Sequence, residues 1–345
     1  MTMPGVRAAL LGLTLATACS SDYPGFQNPN PTLPLPAGAT VLFTGNGYIT
    51  RGGSPRELYA AETSGANVSR LTFCNNSRPC DVVEAAPSPD RTRVAIRRIS
   101  DADGDGRATS ADGEALLVVD LNRSEEATLQ LASGHVSGVD WSPVSEVLVY
   151  SALGEGEIED LWRIDSNALN KANLTQSPAV RERRPRIDPQ GTVAVFERIE
   201  AGGKSQVFLF NSSVSQLRIT SGGPGSDLLA GTPYLVGSDA DPDFSPDGRS
   251  VVFRRLTATG NGGLGTWDIM TVRLDGTGLT TIATGPAFRG APDWGSQGIL
   301  FAEIDRATTG AARLVLVQPD GSGRRVPVTL GSAFELSSPR WLAGQ

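Results

Sequence analysis

One acidic loop holds the residues of this 345-residue sequence that are best suited to chemistry. The segment DADGDGRATSAD, residues 101–112, carries carboxylates at its first, third, fifth and twelfth positions and glycine at its sixth. This is the rhythm of oxygen ligands and turn glycine in an EF-hand loop, which suits Ca²⁺. The sequence therefore predicts a calcium site with these ligand residues: Asp101, Asp103, Asp105, Arg107 through its carbonyl, Thr109 and Asp112.

The loop also departs from an EF-hand. Asp112 replaces the usual bidentate glutamate, and no helix is predicted before the loop, so we expect a weaker site or a smaller ion. Its effect would be on stability and not on catalysis. The alternative is an acidic loop that is solvated without a metal. Residues 239–243 repeat the alternating Asp without the turn glycine, and they are predicted to be a turn before a strand.

Other chemistry is scarce, because the chain has one histidine and three cysteines. Zinc sites of four cysteines, or of two cysteines and two histidines, are excluded. His135 lies in a Gly/Ser segment, and no G-x-S-x-G motif accompanies it, so a catalytic triad has no support. Residues 202–205, GGKS, end like a P-loop, but Arg198 stands where the first glycine must be. We predict a hairpin turn there.

The first 19 residues have the layout of a secretory signal, with a basic start, a short apolar run and small residues before Cys19. The run is shorter than the about 20 residues that a membrane-spanning helix needs. Ala16-Thr17-Ala18-Cys19 resembles a bacterial lipobox, in which the cysteine is lipidated. An ordinary signal cleaved nearby is the alternative. Residues 20–35, rich in Pro, Asn and Ser, are predicted to be an extended tether.

Cys74 and Cys80 remain as a pair in a chain that this signal would export. Two exported cysteines close in sequence predict a disulfide. Their spacing does not by itself distinguish a disulfide from two free thiols. A metal clip is less favoured, because no histidine or further cysteine lies nearby.

Composition indicates the fold class. Gly 40 and Pro 23 against 6% aromatic residues favour many short strands joined by turns. A hydrophobic fraction of 39% supports a packed core, and a net charge of −7 argues against a nucleic-acid partner.

An apolar run recurs about every 50 residues, as expected for propeller blades. The six runs are Val41–Phe43, Val94–Ile96, Val147–Tyr150, Val193–Phe196, Val251–Phe253 and Ile299–Phe301. Turns rich in Pro, Asp and Gly precede several of them, and further short strands follow each run. Three to four strands per unit predict an all-β, six-bladed β-propeller, because a single sheet needs neighbours on both faces. We expect the six runs to be the first strands, which line the channel.

The combination of S-P-D-G before an apolar strand, an aliphatic-aromatic strand, then D-G and L-T resembles the TolB-like six-bladed β-propellers. The resemblance covers residues 36–345. It implies that Ser338–Trp341 closes the ring against the strand at Val41. TolB itself has an additional α/β domain and is soluble, whereas here a tether and a lipid are predicted.

Equivalent positions after the runs carry charged residues, and these are predicted to stand near one channel rim. There they would bind a carboxylate or an acidic partner residue through bidentate contacts. The alternative is ordinary ion pairing between blades. The residues concerned are Arg98, Arg198, Arg255 and Glu303.

These patterns together predict a monomeric, non-enzymatic propeller that is anchored to the cell envelope by lipid. Its expected ligand is an envelope protein or glycan, and its expected contact with the membrane is the lipid alone. A serine after the lipidated cysteine is typical of the periplasmic side of the outer membrane. The alternative function is a carbohydrate-active lyase or hydrolase that uses the channel mouth.

Overall fold

The structure is a computed structural model that describes residues 35–45, 56–65, 67–72, 74, 79–122, 128–211, 214–304, 311–329 and 336–342. The predicted signal, Cys19 and all of the tether except Leu35 lie outside the described residues. No helix in these ranges is long and apolar enough to span a membrane.

Six antiparallel sheets make up the described chain. The strands in chain order are β1 Val41–Gly45, β2 Glu57–Ala61, β3 Ser69–Arg70, β4 Cys80–Pro87, β5 Arg93–Ser100, β6 Glu114–Asp120, β7 Thr128–Gly134, β8 Val136–Trp141, β9 Val147–Leu153, β10 Glu159–Asp165, β11 Ala172–Asn173, β12 Val180–Ile187, β13 Val193–Glu200, β14 Ser205–Asn211, β15 Val214–Arg218, β16 Asp239–Phe244, β17 Ser250–Ala258, β18 Thr266–Arg273, β19 Thr280–Ala283, β20 Phe288–Arg289, β21 Asp293–Gly295, β22 Gly298–Ile304, β23 Ala312–Val317, β24 Arg325–Thr329 and β25 Leu336–Trp341. Two 3₁₀ helices, Ser110–Asp112 and Glu155–Glu157, lie in loops.

From the inside outwards, blade 1 consists of β25, β1, β2 and β3, and blades 2 to 5 consist of β4–β7, β8–β11, β12–β15 and β16–β19. Blade 6 consists of β20 and β21, followed by β22–β24. The innermost strands touch one another in the order β4, β8, β12, β16, β21, β25 and back to β4. They form the wall of a central channel, and the predicted six-bladed propeller is confirmed.

The ring closes through β25, the last described strand, which pairs with β1 near the start of the described chain. Val41 lies opposite Trp341, and Gly45 lies opposite Leu336. The prediction that the C-terminal segment completes the N-terminal blade is therefore confirmed. Pairing with β25 covers the edge of β1 that faces the channel.

The hydrophobic core lies between the blades. Leu42 and Leu58 of blade 1 pack with Val82 and Ile96 of blade 2, and all four are fully buried. Burial of one such side chain stabilises the fold by about 1.5–3 kcal/mol. Both faces of each blade are covered by its neighbours, which explains why the second strands read as continuous apolar runs.

The proline turns join the innermost to the second strands. In the turn after β16, the Ser245 hydroxyl donates to Asp247 at 2.6 Å and accepts from the backbone N–H of Ser250 at 3.0 Å. Gly248 has φ +67°, a conformation that favours glycine. These turns form what we call the lower face. The upper face carries the loops between second and third strands and those between blades, such as residues 219–238.

Candidate functional site

The strands that form the channel wall do not contain the apolar runs. The six runs are the second strands of their blades, so the prediction that they line the channel is wrong. The true wall includes β12 (VRERRPRI) and β16 (DADPDF), and residues 239–243 are therefore a strand and not a turn. Both strands contain a bulge, with Arg184 and Asp241 at positive φ. A bulge breaks the period of two by which strands are recognised.

The four charged residues predicted for the rim consequently lie on second strands: Arg98, Arg198, Arg255 and Glu303. Arg255 donates to the Asp239 carboxylate of its own blade at 2.6 and 2.9 Å. Arg198 donates to Gln216 in β15 and lies 5.0 Å from the centroid of the Phe208 ring.

Glu303 is also engaged inside its own blade. Its carboxylate lies 3.3 Å from Arg289 Nε and 2.6 Å from Arg324 Nη2. Arg98 stands opposite Val82 and Ala115 in the sheet register of blade 2. Arg198 Nη2 also lies 3.6 Å from Glu200 Oε1. The contacts of Arg198, Arg255 and Glu303 thus include ordinary ion pairs, although within blades and not between them.

Deep in the channel, Arg340 of β25 is the centre of a buried ionic cluster. Its Nη1 lies 3.2 Å from Asp293 Oδ1 and 3.6 Å from Asp140 Oδ1. Its Nη2 lies 3.7 Å from Glu84 Oε1 and donates to the Val139 carbonyl at 2.9 Å. Burial lowers the pKa of Arg340, but the surrounding carboxylates outweigh burial and raise it. This one side chain connects four blades.

A second buried cluster joins blades 4 and 5. Arg184 and Arg254 both donate to Asp241, whose backbone N–H donates to Glu197 Oε1 at 2.7 Å. The Tyr234 hydroxyl donates to the other Glu197 oxygen at 2.8 Å. Burial opposes ionisation of Asp241, but Arg184 and Arg254 lower the pKa of its carboxyl. The network positions Tyr234, which belongs to the loop between blades 4 and 5.

That loop, residues 219–238, forms one wall of a groove of about 520 Å³ on the upper face. Leu228 and Leu235 line this wall, and Ile199 and Ile158 line the blades beside it. We call this cavity the upper groove. Its lining is largely aliphatic, with Arg181 and Glu200 as its charged members.

The groove wall is held by its own hydrogen bonds. The Leu229 N–H donates to the Tyr234 carbonyl at 2.9 Å, and the Gly223 N–H donates to the Gly237 carbonyl at 2.7 Å. Lys204 Nζ, from the hairpin that resembled the end of a P-loop, donates to the Gly223 carbonyl at 2.6 Å. The loop is therefore shaped before any ligand arrives.

The acidic loop at residues 101–112 also lies on the upper face. Carboxylate oxygens of Asp101, Asp103 and Asp105 lie within 4.8 Å of one another, as ligands of one ion would. Asp112 lies outside this group and accepts from the Thr109 N–H at 2.7 Å and from its hydroxyl at 3.0 Å. Three of the predicted ligands thus converge, and their hard oxygens fit Ca²⁺.

Cys74 and Cys80 form a disulfide, as predicted, with Cα atoms 5.0 Å apart. His135 lies on the upper face with its Nε2 2.9 Å from Glu159 Oε1. The Ser137 hydroxyl donates to the same carboxylate and not to the imidazole. This arrangement is not that of a nucleophilic serine.

One signal in the sequence could have found the channel residues. A charged residue directly precedes each of the four aromatic residues that anchor the turns: Asp140 before Trp141, Asp243 before Phe244, Asp293 before Trp294 and Arg340 before Trp341. Their ring becomes visible only when the strand before the turn is recognised as the innermost one.

Comparison with known proteins supports the fold. No protein-family model matches the sequence, and no curated protein matches it significantly. Among solved structures, TolB from Acinetobacter baumannii is similar with a TM-score of 0.64 at 16% identity, over 88% of this chain and 67% of that one. A putative TolB from Agrobacterium tumefaciens is similar with a TM-score of 0.56 at 15% identity, over 88% of this chain and 99% of that one.

An oligogalacturonate lyase solved in complex with manganese is similar with a TM-score of 0.50 at 12% identity, over 85% of this chain and 74% of that one. At such identities the likenesses establish the fold alone. Together with the six blades closed by β25, they identify the fold of this chain as a TolB-like six-bladed β-propeller.

Proposed function

We propose that this propeller is a binding scaffold and that a protein of the cell envelope docks in its upper groove. The observation that carries the proposal is the groove itself, a preformed concave site with an aliphatic lining. Leu228 in its wall is 59% exposed. A partner segment with apolar side chains would cover it and remove that surface from water.

An envelope glycan is the alternative ligand for the upper groove. Aliphatic side chains offer a sugar chain few hydrogen bonds, so the lining favours a protein. Arg181 and Glu200 could bind charged groups at the edges of the partner segment.

We propose no catalytic role. The lyase likeness concerns the fold, and three of the four residues nominated for chemistry, Arg198, Arg255 and Glu303, are engaged inside their own blades. A solvent-facing set of acids and bases would be needed at a channel mouth for glycoside chemistry.

The proposed anchor is a lipid on Cys19, at the periplasmic side of the outer membrane, with the protein as a monomer. The described chain begins on the lower face, where the Leu35 N–H donates to the Leu121 carbonyl at 2.9 Å. A tether leaving from there would keep the upper groove accessible.

Replacing Leu228 by aspartate (L228D) is expected to weaken capture of the envelope partner by about tenfold or more, because a charge would enter a desolvated contact. The matched control is L217D, since Leu217 lies in β15 of blade 4, is not part of the groove lining and is 52% exposed. The measurement is quantitative pull-down from envelope extracts. Equal capture by L228D and the control would contradict docking in the groove.

We also propose that Ca²⁺ binds the loop at residues 101–112, held by Asp101, Asp103 and Asp105. Chelation of Ca²⁺ is then expected to lower the Tm by about 2–4 °C, because an ion that binds only the folded state stabilises it. In the D103N variant the chelator should have no effect, whereas D320N, in an exposed turn of blade 6, should respond like the original chain. An unchanged Tm in the presence of chelator would contradict Ca²⁺ binding by this loop.

A further inference from the structure

The lower mouth of the channel is a second cavity, of about 220 Å³, at the opposite end of the molecule from the upper groove. Prolines of the turns belong to its lining. Four aromatic residues also line it, and we call them its walls: Trp141, Phe244, Trp294 and Trp341. Four charged residues complete the lining, and we call them its floor: Asp140, Asp243, Asp293 and Arg340. We call this cavity the lower funnel.

The charges at the floor are not balanced around the ring. Arg340 of blade 1 contacts both Asp293 and Asp140, at 3.2 and 3.6 Å. Arg186 of blade 4, the other arginine at this level, turns to Glu84 at 3.3 Å and to the Val139 carbonyl.

Asp243 of blade 5 is the carboxylate without a cation. Its Oδ2 accepts from the Trp294 backbone N–H at 2.7 Å, and no ion pair to it exists among the described residues. Its neighbour in the ring, Asp293 of blade 6, is also an acid. Burial, and then the charge of Asp293, raise the pKa of Asp243 well above its usual range, although Arg186 and Arg340 act in the opposite direction. A cation between the two aspartates would relieve this repulsion.

The cavity fits an organic cation better than a metal ion. The only described group of three acidic side chains with ligand atoms within 4.8 Å of one another is the one at Asp101, so Asp140, Asp243 and Asp293 do not meet at one point. A Ca²⁺ ion needs ligands at 2.3–2.6 Å on several sides. Aromatic walls, by contrast, attract an ammonium group and accommodate the alkyl chain behind it.

We propose that the lower funnel binds an alkylammonium group, such as a lysine side chain of a partner, with its nitrogen between Asp243 and Asp293. The aromatic walls contact the alkyl chain, and the prolines set the width of the entrance. This site is independent of the upper groove, so failure of one proposal leaves the other standing.

The test is a titration of the full chain with Nα-acetyl-lysine methylamide, followed by calorimetry and by tryptophan fluorescence, since Trp141, Trp294 and Trp341 line the funnel. Saturable binding is expected, and the uncharged norleucine analogue should not bind. A parallel titration with spermidine distinguishes the two possible sources of the ammonium group, a protein side chain and a free polyamine. Tighter binding of the capped lysine indicates a protein partner, and tighter binding of spermidine indicates a free polyamine.

The D243N variant should bind the lysine probe at least about tenfold more weakly, because the neutral amide cannot become the carboxylate anion that pairs with the ammonium group. It is expected to fold, since it also removes the repulsion with Asp293, and its melting curve checks this. The control is D247N, because Asp247 lies in the turn that follows β16, outside the lining, and is exposed. Absence of saturable binding, equal binding of the norleucine analogue, or unchanged affinity in D243N would each overturn the proposal.

Discussion

The R340A variant is expected to lose about 3–5 kcal/mol of unfolding free energy, measured by urea denaturation with tryptophan fluorescence. The Arg340 side chain is 4% exposed, and its guanidinium contacts carboxylates of three other blades. Truncation leaves Asp140 and Asp293 buried without their cation, whereas Glu84 keeps Arg97 and Arg186. The cost therefore comes mainly from Asp140 and Asp293, and not from the lost arginine itself.

The pH dependence of this loss has a definite sign. Burial acts against ionisation of Glu84, but Arg186, Arg97 and Arg340 together lower its pKa. A group with a lowered pKa stabilises the fold above its ordinary pKa, and this stabilisation is lost as the pH falls. The difference between R340A and the original chain should therefore be largest near about pH 7 and shrink towards about pH 4.

The control for R340A is R324A. Arg324 also contacts a carboxylate, that of Glu303 at 2.6 Å, but its side chain is 45% exposed. Solvent screens such a pair, so its loss should cost about 1 kcal/mol or less. Equal destabilisation by the two substitutions would show that burial of the channel cluster does not control its energetics.

Ending the chain at residue 335, which removes β25, is expected to abolish cooperative unfolding. The deletion takes the inner strand from blade 1, exposes the edge of β1 and removes Trp341 from the core between blades 6 and 1. It also removes Arg340 from the channel. Near-ultraviolet circular dichroism and a thermal melt would report the loss.

A synthetic peptide of residues 336–345 is expected to restore the melt when it is added in excess, because it supplies the missing strand by pairing with β1. The matched control is the same peptide with R340A, which should bind more weakly. A truncated chain that melts cooperatively without the peptide would contradict the closure of the ring through β25.

The overall architecture could be predicted from local patterns. The proline turns and apolar runs repeat with a blade-like period, and the segment at Ser338–Trp341 could be matched to the strand at Val41. The pair Cys74 and Cys80 was likewise visible, although only the tertiary structure distinguishes a disulfide from two thiols.

The innermost strands were missed, and with them both channel clusters. Strand β12 is rich in arginine because its side chains pair with acids of other blades: Arg183 with Glu159, Arg184 with Asp241, and Arg186 with Glu84 across the channel. From its sequence alone, such a strand resembles a polar loop. The same error placed three charged residues at the rim: Arg198, Arg255 and Glu303. The strands that carry them were taken for innermost strands, whereas they are the second strands of their blades.

The sequence by itself determined the number of blades, the turn chemistry and the presence of an acidic loop, because each depends on residues close together in the chain. Tertiary structure alone decided which strand faces the channel, which charges neutralise one another and which carboxylate lacks a partner. Those are properties of contacts between blades, and the pairing of charges across a ring depends on distances that no local spacing encodes.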